Sequence, residues 1–327
     1  MQEWEVTQAD AGLRLDQWLA QRAPGGSRRR AAEWLDRGKV FVNQESVGPA
    51  QASLRVESGW QVGLWMDRPG SARSVDRQVV RRRHLLSLLH VDRALVVVNK
   101  PPGLLVEPLP GKASPEVTVL DLVNDQLRHE AAAPCQVVHR IDRDTSGLVL
   151  LARTSAARDF LKEQFADHLP ERVYQALVLG VPQPGAGVWH DRLAWDGDSL
   201  RQRRAHGTDA RAKDARCRYR VVEALGDVSR LEVSLITGKR NQIRVQAGLR
   251  GHALVGEQQY RFATPEEPPD LPSLRRQALH AWRLAFVHPA TREACRFEAP
   301  WPVDFAGVLE ALRRRHQTAS GAVGNGG

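Results

Sequence analysis

Cysteine is scarce in this chain, with three residues in 327. Cys135, Cys217 and Cys295 lie far apart, are odd in number and form no C-x-x-C pair, which argues against a disulfide framework and a zinc site. They read as buried or incidental thiols. Long hydrophobic runs are missing too. None approaches the roughly 18 residues of a membrane span, and the start "MQEWEVTQAD" has neither the basic end nor the apolar stretch of a signal peptide. No membrane partner and a cytoplasmic location are therefore expected. Cofactor loops are absent as well. In "GAGVWH" His190 replaces the last glycine of a dinucleotide loop, and "TGKR" at 237–240 has Val233 where a phosphate loop needs glycine. There is no G-x-S-x-G elbow, no H-x-E with paired cysteines, and no helix-turn-helix, finger or zipper pattern. Carboxylate is the candidate for chemistry that remains.

What is abundant is positive charge. The formal net charge is +9 and the isoelectric point is near 10.1, the footprint of a protein whose partner is rich in phosphate. Arg68, Arg73, Arg77, Arg81, Arg82 and Arg83 form one cluster. A second holds Arg201, Arg203, Arg204, Arg211, Lys213, Arg216, Arg218 and Arg220. Solvated faces would also explain such runs, but guanidinium groups bind phosphate bidentately and stack on bases, which suits nucleic acid better. Otherwise the composition, 42% hydrophobic and 26% charged, is that of an ordinary globular protein. The length suits one large core and a smaller module.

The small module covers residues 1–66. Leu15, Trp18 and Leu19 fall at helical spacing and Pro24-Gly25-Gly26 closes that helix. Ser27 can cap a second helix, which carries Arg28, Arg29 and Arg30 in its first turn and buries Ala31, Trp34 and Leu35. The helix dipole adds to these arginines as a phosphate site. Residues 67–86 mix turn formers with arginine and read as a basic linker. From 87 to 312 strands recur, at "ALVVVNK", "GLVLLAR", "VYQALVLG", "RYRVVEAL", "RLEVSLI" and "LAFVHP", with helices expected at 118–128, 154–167 and 241–250. The glycine-rich end, placed at 313–327, reads as a disordered tail.

In "HRIDRDTSG", residues 139–147, Asp142 and Asp144 are two apart, so an extended backbone would point them the same way, flanked by Arg140 and Arg143. Taken alone, this is either an ion-pair cluster at a strand entrance or a catalytic carboxylate. The stretch is similar to the central motif H-R-L-D-x-x-T-S-G of the RluA family of RNA pseudouridine synthases. Further pieces agree in order: "LVVVNKPPGLLV" at 95–106, "ERVYQALVLG" at 171–180, "ITGKRNQIRV" at 236–245, "GHALVGEQQY" at 251–260 and "RQALHAWRLAFVHPATRE" at 276–293. The first module, through "RLDQWLA", "SRRRAAEWLDRGKVFVN" and "VESGWQVGLW", resembles the alpha-L RNA-binding domain of a small-subunit ribosomal protein.

The resemblance implies an α+β fold in which a mixed, mainly antiparallel central sheet with flanking helices carries an active-site cleft, preceded by the alpha-L domain. It implies Asp142 as the catalytic carboxylate, Arg244 as its cationic partner, and Tyr174 as the aromatic that stacks on the uracil. Arg140 is implied as the side chain that fills the space of a flipped base. Lys100, beside the Pro101-Pro102-Gly103 turn, joins Arg28, Arg29 and Arg30 as a candidate RNA contact. No cofactor or metal is implied. Gly147 is expected to permit a close backbone approach. The chain departs from the family at Asn241 and Gln246, where histidines are usual, at Glu107, where a histidine is frequent, and at Glu257, where aspartate is usual. The expected partner is large-subunit ribosomal RNA, with transfer RNA as alternative substrate, and the expected state is a monomer. A catalytically silent RNA-binding or ribosome-assembly factor is the reading from a different class, and the trio Asp142, Tyr174 and Arg244 stands against it.

Overall fold

The computed structural model describes the chain except for residues 1, 37–38, 44, 49–50, 66–84, 109–116, 131–132, 197–200, 206, 263, 273 and 324–327. Two compact units emerge, Met1–His84 and Leu85–Gly327. Residues 67–84 of the expected linker lie outside the described residues. Leu86, at its end, is buried and exchanges hydrogen bonds with the Gln126 amide, so it belongs to the second unit.

The first unit holds β1 (Gln2–Glu5), α1 (Leu15–Arg22), α2 (Arg28–Asp36), β2 (Val40–Val42), β3 (Glu45–Val47) and β4 (Gln61–Leu64). Its antiparallel sheet runs β1-β4-β2-β3. Leu15, Trp18 and Leu19 of α1 and Ala31, Trp34 and Leu35 of α2 pack on Val40, Val62 and Leu64, as the three-to-four spacing requires. Asn43 takes a left-handed conformation, φ +49°, after β2, a position asparagine tolerates better than most residues. The Ser27 hydroxyl accepts from the Arg30 N–H at 3.2 Å, the expected cap. Arg28, Arg29 and Arg30 are exposed, although Arg28 reaches Asp16 at 3.3 Å and Arg30 donates to the Gly25 carbonyl at 2.6 Å.

The second unit is built on one large sheet. Its elements are β5 (Ser87–Val91), β6 (Leu95–Lys100), α3 (Val119–Gln126), β7 (Gln136–Val137), β8 (Ser146–Ala152), α4 (Ser155–Ala166), β9 (Glu171–Leu179), β10 (Ala186–Asp196), β11 (Arg201–Arg204), β12 (Lys213–Leu225), β13 (Val228–Leu235), α5 (Gln242–Gly248), β14 (Leu279–Val287), β15 (Ala294–Glu298) and α6 (Val303–Val323). The strand order is β11-β10-β12-β13-β9-β14-β8-β6-β5, with β15 on β14 and β7 on β8. Among the described residues only β8 and β14 run parallel, so the unit is α+β with a mixed, mainly antiparallel sheet.

Strand alternation sorts the core into two faces. Val149 and Leu151 of β8 and Tyr174 and Ala176 of β9 share one face with α3. Leu148 and Leu150 meet Ala157 and Leu161 of α4 on the other, and Leu177 and Leu179 meet Phe305, Leu309 and Leu312 of α6. β8 is buried at every residue because both faces are covered, which is why it reads as a continuous apolar run. The expected tail begins too early. α6 continues to Val323, since Leu312 is fully buried and the next turn is tied down by Arg313 on Glu223 at 2.7 Å and Arg315 on Asp227 at 2.6 Å.

Candidate active site

The 139–147 segment is held rigidly from four directions before β8 begins. His139 Nε2 accepts from the Leu150 N–H at 3.0 Å and its ring stacks on Phe165 at 4.7 Å; burial pushes its pKa down to about 3, so it is a neutral anchor. The Asp142 carbonyl accepts from the Thr145 N–H at 3.1 Å, closing a turn rather than the extended run expected for 142–144. Two-residue alternation therefore does not govern Asp142 and Asp144. Thr145 Oγ1 accepts from Gln277 at 3.2 Å, and Ser146 Oγ lies 3.0 Å from His280 Nδ1. Gly147, φ +111°, sits where β8 meets β14, and a Cβ there would run into the Ala281 carbonyl. Only glycine lets the strands pair this closely.

Lys100 corrects its expected role. Its side chain is fully buried, and its ammonium donates to the carbonyls of Pro101, Leu104 and Arg143 at 2.9, 3.0 and 2.7 Å. Burial lowers its pKa to about 7, against the pull of Asp144 and Asp142. An ammonium already spent on three carbonyls inside the fold has nothing left for RNA. Together with the Gly103 N–H, which reaches the Arg143 carbonyl at 3.0 Å, it pins the Pro-Pro-Gly turn to the Asp142 loop. Arg276 does the same from the far side: it grips Asp304 at 2.6 and 2.8 Å and donates to the Asp144 carbonyl at 3.1 Å.

Asp142 opens into a cleft of about 1140 Å³ whose walls include Arg140, Arg172, Tyr174, Arg240 and Arg244. Its side chain remains 26% exposed. Burial pushes its carboxyl above the ordinary carboxylate range, while Arg244 and Arg240 pull it down, Glu257 pushes it up and Lys100 pulls it down. Arg244 Nη1 lies 3.7 Å from Asp142 Oδ2. Behind it Arg244 is clamped bidentately by Glu257, Nε to Oε2 at 2.7 Å and Nη2 to Oε1 at 2.8 Å. Glu257 is enclosed and also accepts the N–H groups of Gln258 and Gln259 at 3.0 and 2.8 Å. Burial favours its neutral form, yet the bonds from Arg244 win and hold it below its usual pKa.

Tyr174 is 9% exposed and lines the same cleft, its hydroxyl raised to about 12 by burial and hence protonated. Arg140 projects at the cleft mouth, 59% exposed, 3.6 Å from Glu107. The structure thus brings Asp142, Tyr174, Arg244 and Arg140 to one cleft and leaves Lys100 outside it. Sequence reading overlooked Arg172, which lines the cleft with no ion pair among the described residues, and it noticed Asn241 and Glu257 only as departures. The motif stretches "ERVYQ" and "TGKRN" held the signal, but side-chain direction is not written in spacing. Among the described residues the sole metal-like cluster is His90, Asp92 and His288, away from the cleft. His288 Nδ1 accepts two N–H groups, from Ala290 and Thr291, so its Nε2 carries a proton and donates to Asp92 at 2.8 Å. That nitrogen is no ligand.

An aspartate beside an arginine in the lining of a cation-rich cleft, with a buried tyrosine ring in the same lining, suits chemistry on a polyanion. Residues 94–248 match the RNA pseudouridylate synthase family, and residues 13–52 match the S4 domain. The chain is 32% identical to an RNA pseudouridine synthase of Chlorobaculum parvum, over 94% of this chain and 97% of that protein. It is 32% identical to ribosomal large subunit pseudouridine synthase D of Pasteurella multocida, over 96% and 95%. Among solved structures it resembles human RNA pseudouridylate synthase domain containing 4 in fold, with a TM-score of 0.58 at 24% identity, over 74% of this chain and 97% of that one. The chain therefore belongs to the RluA-type RNA pseudouridine synthases, isomerases of RNA, and carries an N-terminal S4 domain.

Proposed function

We propose that the protein isomerises uridines of large-subunit ribosomal RNA, with Asp142 as the catalytic carboxylate. The observation that carries the assignment of Asp142 is its place in the cleft lining, 26% exposed and 3.7 Å from Arg244. The choice of RNA is supported by the relative of Pasteurella multocida, which is named for the large ribosomal subunit.

The isomerisation breaks the bond between uracil N1 and ribose C1′, turns the ring, and joins C5 to C1′. N1 gains a proton and C5 loses one, so nothing is consumed. Whether the carboxylate attacks the sugar or assists elimination, it must be ionised. Arg244 supplies that, and the Glu257 clamp fixes where its charge sits. Tyr174 stacks on the uracil. Its hydroxyl is protonated at neutral pH, so it can take the C5 proton only while passing its own proton on to a neighbouring acceptor or water. Arg140 fills the vacated stack when the target base swings out, which costs a few kcal/mol. Arg172, Arg240 and Lys239 face the strand's phosphates along the cleft.

On the S4 domain Arg28, Arg29 and Arg30 add sequence-independent grip. The protein works as a monomer in the cytoplasm; among the described residues no helix is long and apolar enough to cross a membrane. The test is tritium release from C5-labelled unmodified large-subunit ribosomal RNA, beside a transfer RNA pool. Release from the ribosomal RNA alone is expected. Release confined to transfer RNA would replace the substrate, and binding to both without release would favour a silent assembly factor.

A further inference from the structure

Asn241 stands at the N-cap of α5, a position where asparagine normally accepts a backbone N–H, yet its side chain caps nothing. Its backbone is left-handed, φ +52°, which turns the amide away from the helix. One edge of that amide faces the carboxylate of Asp142 and the other the hydroxyl of Tyr260 at 2.8 Å. Hydrogen-bond chemistry leaves one self-consistent orientation. The backbone N–H of Gln202 donates to the Tyr260 oxygen at 3.1 Å, and an N–H can only donate. The hydroxyl has one proton to give, and among the described residues the acceptor within reach is the Asn241 carbonyl oxygen. The Asn241 nitrogen is thereby directed at Asp142, reaching Oδ1 at 2.9 Å and Oδ2 at 3.0 Å. The opposite orientation would set a carbonyl oxygen against a carboxylate.

We propose that Asn241 is a positioning residue for the isomerisation. It clamps both oxygens of Asp142 and is itself fixed by a one-way hydrogen-bond relay running from the Gln202 N–H through Tyr260. The relay rests on Asp142 being the working carboxylate. It gives the site a second support for the charged form beside Arg244. Arg244 lies 3.7 Å from the carboxylate, outside direct hydrogen-bond range, whereas Asn241 is within it. Tyr260 is fully buried, so the relay starts from a fixed point of the fold. Its backbone end lies in β11, an edge strand of the sheet. Other groups acting on Asp142 are Arg244 of α5, Arg240 before it, Glu257 of the following loop, Lys100 at the end of β6 and Tyr174 of β9. Asn241 is uncharged at every pH, so its removal changes hydrogen bonding without removing a charge.

The test uses the whole protein with its aspartates labelled at the carboxyl carbon, the Asp142 signal being assigned by its loss in Asp142→Asn. Carboxyl titration is followed by NMR in wild type, Tyr260→Phe and Asn241→Gly. Tyr260→Phe keeps the buried ring and removes only the hydroxyl. Asn241→Gly keeps the left-handed backbone and removes the amide without adding a charge. The Asp142 midpoint is expected to rise in both, by about one pH unit or more in Asn241→Gly and by less in Tyr260→Phe. The acid limb of kcat should move with it while KM for RNA holds. An unshifted midpoint in a folded Tyr260→Phe protein would overturn the relay, as would activity losses that are equal at all pH. Wild-type inactivity on every RNA would instead count against the functional reading, and the NMR titration would still decide the relay.

Discussion

Glu257 occupies a place where this family usually has the shorter aspartate, and its carboxylate is enclosed by Arg244 and two backbone N–H groups. Replacing it with glutamine leaves a half-buried guanidinium without its counter-charge. Breaking a buried pair from one side costs about 3 kcal/mol, so Glu257→Gln should melt several degrees lower and lose at least tenfold in kcat, read by calorimetry and tritium release. Asp142 has the opposite balance. Its folded pKa is raised above the unfolded value, chiefly by burial. The native state therefore holds the proton more tightly than the unfolded chain, and stability falls as pH rises from the unfolded value through the folded one. Above that window the penalty of the buried charge is present in full. Asp142→Asn should accordingly be inactive yet melt no lower than wild type at pH 8; a clearly lower melting temperature would mean that the charge stabilises the fold. Motif order along the chain made Asp142, Tyr174 and Arg244 legible together. Lys100 was misread because a lysine next to prolines looks like a surface charge, and nothing in sequence reveals three carbonyls converging on it. Asn241 was visible only as a substitution, since the direction of its amide depends on a left-handed backbone and on Tyr260, nineteen residues away.

At the scale of elements, the loop before β8 is as good as the parallel pairing of β8 with β14. That pairing needs Gly147: its φ of +111° disfavours any side chain, and a Cβ would strike the Ala281 carbonyl. Gly147→Ala should cost about 3 kcal/mol and lower kcat disproportionately, because the strand cannot shift without moving Asp142. Thermal unfolding beside single-turnover rates checks both, and an unchanged melting temperature would refute the close-packing account. In the second unit β6, β8, β9, β12, β13, β14 and the helices α3, α4 and α5 were readable, because β8 is apolar from Gly147 on and α3 and α4 announce their starts with Thr118 and Thr154 as N-caps. The strands β5, β7, β10, β11 and β15 were not read, nor was α6. Its glycines suggested disorder, while Arg313 and Arg315 find Glu223 and Asp227 in a strand and turn far away in sequence.

Across the whole molecule, a net charge of +9 makes affinity for RNA strongly salt-dependent. If the exposed arginines of α2 bind phosphate, changing Arg28, Arg29 and Arg30 together to alanine should weaken binding to any RNA and flatten the slope of log affinity against log salt by roughly 1 to 2. Turnover at saturating RNA should survive. An unchanged slope would assign those arginines to the S4 fold alone, where Arg28 already touches Asp16. The partner class was legible from charge, but which RNA it is was not, since phosphate contacts carry no sequence information.

The most direct measurement compares wild type with Asp142→Ala in single-turnover tritium release from C5-labelled large-subunit ribosomal RNA, with RNA affinity measured on the same samples. The account predicts release by wild type, none above background by the variant, and matching affinities. Release by Asp142→Ala at anything near the wild-type rate would contradict it, because among the described residues no other carboxylate of the cleft is placed against Arg244 and Asn241 as Asp142 is.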